Sequence, residues 1–315
     1  MALIVSNNNI AFRYMLEHLE ITTLFTQFRY YTHKRLNHPA NSKNLKLWWQ
    51  SAGNQQLNTL SKSLQILNIC VRQISLVGTS ETAREKSFNQ WLAGLIDGDG
   101  SLLISKQGYP SLEITMDLQD EKLLMFIKQK LGGSVKLRAG IKALRYRLHN
   151  KESILNLINR INGEIRFSNR QEQLKKLCKT LNVLYLESQD LKLNNSWIAG
   201  IIDSDGCITG NFTRTNPTIS ITIANKYEEN LLCVKTLLGG NIYFSKHGYG
   251  HYVWSIQSEI DIIEFLQNIK PIRSHKIKRF NLIKTFYNLR QLKAHSADNN
   301  TPLHKAWLNF LKNWQ

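Results

Sequence analysis

The sequence predicts an α+β fold made of two pseudo-symmetric αββαββα repeats, each with an antiparallel sheet. The first observation is a near-duplicate, because WLAGLIDGDG begins at Trp91 and WIAGIIDSDG begins at Trp197, 106 positions later. The second is that LGG at 131–133 recurs at 238–240, an offset of 107, and the pair IR recurs at the same offset. Offsets of 106 to 107 that are kept over about 75 residues indicate a duplicated unit.

Each unit is predicted to run helix, two strands, helix, two strands, helix. Leu112, Ile114 and Met116 alternate with polar residues, which is typical of a half-buried strand. The segment 120–130 has helical spacing and is followed by a Gly-Gly pair that ends the helix. Two more alternating strands, SVKLR and ALRYRLH, complete the first unit before its last helix, and 241–257 reads as the matching hairpin of the second unit.

Composition divides the rest of the chain. Residues 1–86 are basic and poor in acidic residues, and we interpret them as a loosely ordered or partly helical arm. A mitochondrial transit peptide is the alternative there, but Glu17 and Glu20 count against it. The predicted parts are a basic N-terminal extension (1–86), the first repeat (87–181), a linker (182–196), the second repeat (197–291) and a C-terminal tail that could be helical (292–315).

The charge of the chain favours a polyanionic partner. Lys and Arg total 41 against 23 Asp and Glu, a formal net charge of +18, and nucleic acid is the partner that such an excess fits best. A membrane partner is not expected, because no apolar run reaches the roughly 18 residues that a span needs. The four cysteines form no CxxC pair, which argues against a disulfide framework or a zinc site and fits a reducing compartment.

One face of each predicted sheet is a candidate nucleic-acid surface. In the first unit, basic side chains share a face of two strands, and we expect them to meet phosphates; they are Lys136, Arg138, Arg145 and Arg147. The matching face of the second unit is polar and suits contact with base edges; it carries Tyr243, Ser245, His251 and Gln257. For this second face, an ordinary solvated sheet surface explains the residues equally well.

Small residues four apart mark one side of each motif helix. Gly94 and Gly98 share a face of the first helix, and Gly200 and Ser204 share a face of the second. Such spacing lets two helix backbones approach closely. We therefore expect the two helices to pack against each other around a pseudo-two-fold axis, with their C-terminal ends side by side.

Each motif ends in two acidic residues, Asp97 and Asp99 in the first and Asp203 and Asp205 in the second. Carboxylates are unfavourable at the negative end of a helix dipole, and two such ends together repel each other. A bound divalent cation removes this conflict, and oxygen ligands beside a phosphate-binding surface favour Mg²⁺. The alternative is a helix that simply ends in an Asp-Gly turn, but two copies in a duplicated basic unit favour the metal site.

These residues closely resemble the LAGLIDADG homing endonucleases in their single-chain, two-repeat form, over about 88–289. The resemblance implies saddle-shaped antiparallel sheets astride DNA, with the two motif helices packed at the centre. It also implies that Asp99 and Asp205 bind Mg²⁺, or another divalent cation such as Mn²⁺, and are catalytic. Asp97 and Asp203 would then mostly support the helix ends.

The family also places a basic residue near the start of the last helix of a repeat, and Lys276 occupies that position in the second unit. The first unit offers Ser168 and Asn169 at the matching place, which predicts two unequal cleavage centres. Polar residues at the ends of the second strands, Asp117 and Asn225, are candidates to hold solvent near the metal.

The sequence therefore predicts a site-specific double-strand DNA homing endonuclease that uses metal-assisted phosphodiester hydrolysis. We expect a monomer, since one chain carries both repeats, encoded in a group I intron of an organelle, a mitochondrion rather than a chloroplast. An RNA maturase that binds its own group I intron RNA is the main alternative, and a non-catalytic DNA-binding protein is another. The intact acids of both motifs favour the nuclease.

Overall fold

The computed structural model describes residues 82–315. The predicted N-terminal extension, with its possible targeting segment, lies outside the described residues except for 82–86. Within the described part, no helix is both long and apolar enough to cross a membrane.

The first repeat begins with the motif helix, α1, which covers residues 82–99. Its other elements follow in the order β1 (Gly100–Ile104), β2 (Pro110–Asp117), a 3-10 turn (Leu118–Asp120), α2 (Glu121–Leu131), β3 (Ser134–Leu137), β4 (Ala143–Leu148), α3 (Lys151–Ile161) and α4 (Ser168–Thr180).

The second repeat begins with the shorter motif helix α5 (Trp197–Ser204). The remaining elements are β5 (Gly206–Asn211), β6 (Thr218–Asn225), α6 (Glu229–Leu238), β7 (Asn241–Ser245), β8 (His251–Ile256), α7 (Glu259–Asn268), α8 (Ile277–Gln291), a 3-10 turn (Ala294–Ser296) and α9 (Pro302–Trp314).

The two sheets have the same topology. Each is a four-stranded antiparallel sheet, in the orders β1-β2-β4-β3 and β5-β6-β8-β7. The alternation predicted for β2 is confirmed, because Leu112, Ile114 and Met116 are buried against the helices while the residues between them face outward. In β6, three isoleucines are buried in the same way. The α+β prediction of two pseudo-symmetric repeats is correct.

Each repeat ends in two helices, not in the single helix that the sequence predicted. The chain leaves α3 at Asn162 and turns through Gly163, whose φ of +87° is a conformation that side chains disfavour. In the second repeat the break contains Pro271, and the residue before a proline disfavours helix. These breaks free the backbone N–H groups ahead of α4 and α8 for contacts with the motif helices.

The motif helices α1 and α5 pack with their backbones in close contact. A Cβ atom placed on Gly94 would lie 2.1 Å from the carbonyl oxygen of Trp197, and one on Gly200 would lie 2.0 Å from that of Trp91. Real Cβ atoms do not approach backbone atoms so closely. The contact between the helices therefore requires glycine at both positions, as the small-residue spacing predicted.

The C-terminal helix α9 covers the end of β5. Phe212 lies just beyond this strand. The centroid of its ring is 5.9, 5.3 and 5.2 Å from those of Trp307, Phe310 and Trp314, and all three contacts are edge to face. Arg279 of α8 donates hydrogen bonds to the carbonyl oxygens of Trp314 and Ile208. This aromatic cluster packs against the end of β5, the edge strand of the second sheet. The domain boundaries given in the sequence analysis stay predictions.

Gly200→Ala should lower the free energy of unfolding by about 3 kcal/mol, because the added methyl group overpacks a backbone contact that has no side chain to move aside. Gly108→Ala is the control, since nothing lies within 4 Å of its position and only its φ of +85° is strained. That control should cost about 1 kcal/mol. Urea denaturation measures both, and equal losses would contradict the close packing of the motif helices.

Candidate active site at the ends of the motif helices

The first acid of the first motif is buried and fully bonded. Asp97 is 2% exposed. Its carboxylate accepts hydrogen bonds from the indole Nε1 of Trp197 at 2.7 Å and from the backbone N–H groups of Arg166 at 2.9 Å and Phe167 at 3.2 Å. Burial raises the pKa of Asp97 to about 7, and these hydrogen bonds oppose the shift.

Asp203 repeats this arrangement from the other side. Its carboxylate accepts from the indole Nε1 of Trp91 at 2.8 Å and from the backbone N–H groups of Arg273 at 2.9 Å and Ser274 at 2.7 Å. Each first acid thus joins its own motif helix to the other motif helix and to the last helix of its repeat. This geometry agrees with the supporting role that the family resemblance implies. The matching tryptophans were visible in the sequence as the first residue of each motif copy.

The second acids, Asp99 and Asp205, are only partly exposed but have no such partners. Neither carboxylate has a hydrogen bond or an ion pair with another residue of the described chain. A Cβ atom on Gly98, which precedes Asp99, would lie 3.1 Å from the carboxyl carbon of Asp205, so the two motif ends adjoin. The structure therefore brings the two predicted catalytic acids together.

Burial is the main influence on both of these acids. It raises the pKa of Asp99 to about 6, and the positive charges of Lys276 and Arg170 oppose the shift. It raises the pKa of Asp205 to about 7, and the charge of Asp99 raises it further. The two carboxylates repel each other in a poorly solvated place, which is the electrostatic conflict that the sequence predicted.

Lys276 lies against the end of the second motif helix. Its Nζ donates hydrogen bonds to the carbonyl oxygens of Ile202, Asp203 and Ser204, at 3.0, 3.0 and 2.6 Å. Three orphan carbonyls of the last helical turn are thereby satisfied, and a positive charge offsets the negative end of the helix dipole. Burial lowers the pKa of Lys276, and the nearby carboxylates of Asp99 and Asp203 oppose that shift.

The first repeat has an equivalent cation, and the predicted correspondence with Ser168 and Asn169 is wrong. Arg170 donates from Nε to the carbonyl oxygen of Ile96 at 3.1 Å and from Nη2 to that of Gly98 at 3.0 Å. These carbonyls match two of the three that Lys276 binds. The mismatch arose because the two cations are 106 residues apart, whereas the Ile-Arg pairs that precede them are 107 apart. Arg170 also lies inside α4, whereas Lys276 lies just before α8.

The donor set fits a hard divalent cation. Asp99 and Asp205 offer carboxylate oxygens, and no group of three or more His, Cys, Asp or Glu residues that could hold a metal occurs within residues 82–315. Mg²⁺ commonly uses one or two carboxylates and takes its other ligands from water and substrate phosphate. The two acids would therefore hold such an ion only in part, and leave positions for a phosphodiester.

The basic face of the first sheet also contains an acid. Glu113 of β2 lies between two arginines of β4, with its Oε2 3.4 Å from Nη1 of Arg145 and its Oε1 bonded to Nη2 of Arg147. Lys136 of β3 is the register partner of Arg145. Arg138 follows directly after β3, and both Lys136 and Arg138 are exposed. The four predicted basic residues therefore share one end of the sheet, but Glu113 partly neutralises two of them.

The outward face of the second sheet is polar, as its alternation predicts. Tyr243 is 51% exposed, and Ser245 is the register partner of His251 at the end of the hairpin. Gln257 is exposed just beyond β8. The structure thus brings these four residues onto one hairpin, and base contact by them stays a prediction.

The polar residues at the ends of the second strands have local partners. Asp117 accepts a hydrogen bond from the backbone N–H of Gln119 at 2.9 Å. The Oδ1 of Asn225 accepts from Nδ2 of Asn230 at 2.9 Å. Both side chains shape the chain where it leaves a strand, and a role in holding solvent stays a prediction.

The chain belongs to the LAGLIDADG endonuclease family. The family model matches twice, over residues 92–181 and 198–287, and the two matches contain both motif ends described above.

Several intron-encoded proteins are similar to this chain. "Probable intron-encoded endonuclease aI2" of Debaryomyces hansenii is 41% identical over 281 residues, covering 81% of this chain and 43% of the relative. "Intron-encoded RNA maturase bI4" of Saccharomyces cerevisiae is 38% identical over 312 residues, 98% of this chain and 48% of the relative. The chain thus spans less than half the length of these two. "Intron-encoded DNA endonuclease ai2a" of Dictyostelium discoideum is 31% identical, covering 73% of this chain and 75% of the relative.

Solved structures share the fold. The meganuclease I-SmaMI bound to uncleaveable DNA aligns with a TM-score of 0.55 and 17% identity, covering 71% of this chain and 96% of that protein. The meganuclease I-AabMI bound to uncleaved DNA aligns with a TM-score of 0.53 and 17% identity, covering 71% and 97%. At this identity the likeness establishes the fold alone.

The buried acids should make the metal-free protein lose stability as pH rises. The pKa of Asp205 is higher in the folded protein, at about 7, than its ordinary value of 3.8, so the folded state binds more protons between these values. The resulting stabilisation is complete below the lower value and is lost as pH rises through the higher one. Asp205→Asn should therefore gain melting temperature relative to wild type between about pH 4 and about pH 8 in chelator.

Asp190→Asn removes the same charge at an exposed position of the linker and is the charge-matched control. A difference between Asp205→Asn and wild type that does not change with pH would show that Asp205 titrates as an ordinary surface acid.

Proposed function

We propose that this protein is a site-specific endonuclease that cuts both strands of a DNA target by metal-assisted phosphodiester hydrolysis. The observation that carries this proposal is the contrast within each motif. The first acid is fully bonded inside the protein, while Asp99 and Asp205 are held together at the surface of the helix pair without a partner in the described chain. Carboxylates that only brace a fold do not need to be left in this state.

The chain's own residues divide the work at this site. Asp99 and Asp205 would hold divalent metal, Mg²⁺ or Mn²⁺, which when bound supplies Lewis-acid polarisation of the phosphate and lowers the pKa of water. Lys276 and Arg170 keep the two helix ends electrostatically compensated, and stand where they can offset charge that develops on the phosphate. Asp97 and Asp203 hold the geometry.

The two sheets provide a DNA surface. The basic end of the first sheet supports phosphate contact by Arg145, Arg147, Lys136 and Arg138. The polar hairpin of the second sheet, with Tyr243, Ser245, His251 and Gln257, is chemically suited to base edges in a groove. Because one chain supplies two similar but not identical halves, we propose that it acts as a monomer on a target that is not a perfect palindrome.

The genetic setting follows from the relatives, which are named as intron-encoded proteins. We propose that this chain is encoded in a group I intron of an organelle genome, a mitochondrion in preference to a chloroplast. DNA cleavage by this protein would then allow the intron to home to an intronless copy of the host gene.

RNA maturase activity is a second candidate, because the similarity to the maturase bI4 extends over 98% of this chain. RNA binding does not need the two unpartnered acids. Splicing of a precursor containing the host intron, with and without protein, tests this activity. An Asp99→Asn, Asp205→Asn double variant that still promotes splicing would show that the two activities use different residues.

Asp99→Asn and Asp205→Asn should each abolish double-strand cleavage, because each removes a ligand charge from the metal site. Both variants should bind target DNA at least as tightly as wild type, since a negative charge near phosphate is lost. The assay is cleavage of DNA that spans the intron insertion site in Mg²⁺, with Asp190→Asn as the charge-matched control. Full cleavage by either site variant would overturn the assignment of these acids.

Arg145→Gln with Arg147→Gln should weaken DNA binding and flatten its dependence on salt by about one to two units in the log–log slope, if each arginine meets a phosphate. Glu113→Gln should do the reverse, because it frees both arginines from a carboxylate. Affinity measured over a series of KCl concentrations tests the pair. Slopes that are unchanged in both variants would mean that this face does not lie along DNA.

A further inference from the structure

A buried acid of the first repeat reaches into the second repeat beside Lys276. Asp120, at the end of the 3-10 turn after β2, is 3% exposed. Its Oδ1 accepts from the backbone N–H of His275 at 2.7 Å, and its Oδ2 lies 2.9 Å from Nδ1 of the same histidine. Asp120 therefore fixes both the backbone and the ring of the residue that precedes Lys276.

The opposite crossing uses a different side chain. Asn230 of α6, in the second repeat, is 4% exposed, and its Oδ1 accepts from the backbone N–H of Ser168 at 3.0 Å. Ser168 begins the helix that carries Arg170. The two repeats thus hold each other's last helix in the same way, but one connection is a carboxylate and the other is a neutral amide.

The charge of Asp120 acts on one side of the candidate site. The pKa of Lys276, which burial lowers, is raised by Asp99, Asp203 and Asp120 in that order. A carboxylate at 120 therefore favours a positive Lys276, and a neutral amide at the equivalent crossing does not.

We propose that Asp120 is a positioning residue that makes the two cleavage centres unequal, because it holds His275 and Lys276 against one motif end with a charged contact that the other end lacks. This inference rests on the proposed endonuclease activity. It replaces the inequality predicted from Ser168 and Asn169, since both motif ends do have a basic residue. The consequence is that the two strands are cut at different rates, and that Asp120 sets part of the difference.

The experiment is single-turnover cleavage at saturating enzyme, with the two DNA strands labelled separately. Lys276→Met and Arg170→Met first identify which strand depends on which motif end. Asp120→Asn should then slow the Lys276-dependent strand by roughly tenfold, as is typical when a residue that orients a metal-site group is changed. The other strand should stay within about twofold of wild type, so that nicked DNA accumulates before linear DNA. Asp190→Asn is the control and should leave both rates unchanged.

A second readout does not depend on activity. A carboxylate oxygen can only accept, so Nδ1 of His275 must carry the hydrogen in the contact with Asp120. Nitrogen-15 spectra of the histidine side chains, with His275→Ala to assign the signal, should show the Nδ1–H tautomer in wild type and its loss or weakening in Asp120→Asn. Target affinity in chelator should be the same for both proteins, since Asp120 is buried and its carboxylate is bonded to His275.

The outcomes separate this inference from the proposed function. Strand-selective slowing by Asp120→Asn, on the same strand as Lys276→Met, supports it. If wild type cuts both strands but Asp120→Asn slows them equally or not at all, or if His275 carries its hydrogen on Nε2 in wild type, the inference is wrong and the endonuclease assignment stands. If wild type cuts neither strand of its target, the proposed function fails and the inference fails with it.

Discussion

The backbone contact between the two motif helices is the constraint on which the rest of the structure depends. Gly94 and Gly200 each face a tryptophan carbonyl of the other helix at a distance that excludes any side chain. Only at this separation can the indole of Trp197 reach Asp97, and that of Trp91 reach Asp203. The same contact sets the spacing of the last residues of both helices. Two small residues in the middle of the helices thus determine where the acids at their ends lie.

The acids two positions apart in each motif have opposite environments because of this packing. Asp97 and Asp203 point back into the helix pair, where charge-assisted hydrogen bonds, each contributing about 1.5–3 kcal/mol, compensate for their burial. Asp99 and Asp205 lie two residues further along the chain, where the helices end. No donor of the described chain forms a hydrogen bond with either carboxylate there. Lys276 and Arg170 satisfy the carbonyl oxygens at the helix ends but form no hydrogen bond with the carboxylates of Asp99 and Asp205. The protein thereby keeps two acids available for a ligand.

Local patterns were enough to predict the repeats, the strand faces and the helix contact, because each depends on periodicity or residue size. The split of each final helix was missed although Gly163 and Pro271 lie in the breaks, because the N–H groups near Phe167 that the first break frees serve an acid distant in sequence. Arg170 was missed because an offset of 107, correct for the preceding Ile-Arg pairs, is one residue too long there. Asp120 and His275 come from different repeats, and only tertiary structure brings them together.

The central claim is that Asp99 and Asp205 are the metal ligands of the protein, at the adjoining ends of the motif helices. Anomalous diffraction from crystals of the protein with target DNA and Mn²⁺ tests it most directly. We expect a Mn²⁺ peak at about 2.0–2.2 Å from a carboxylate oxygen of each acid and close to a scissile phosphate. A Mn²⁺ ion bound only elsewhere, with both carboxylates hydrogen-bonded within the protein, would contradict the account.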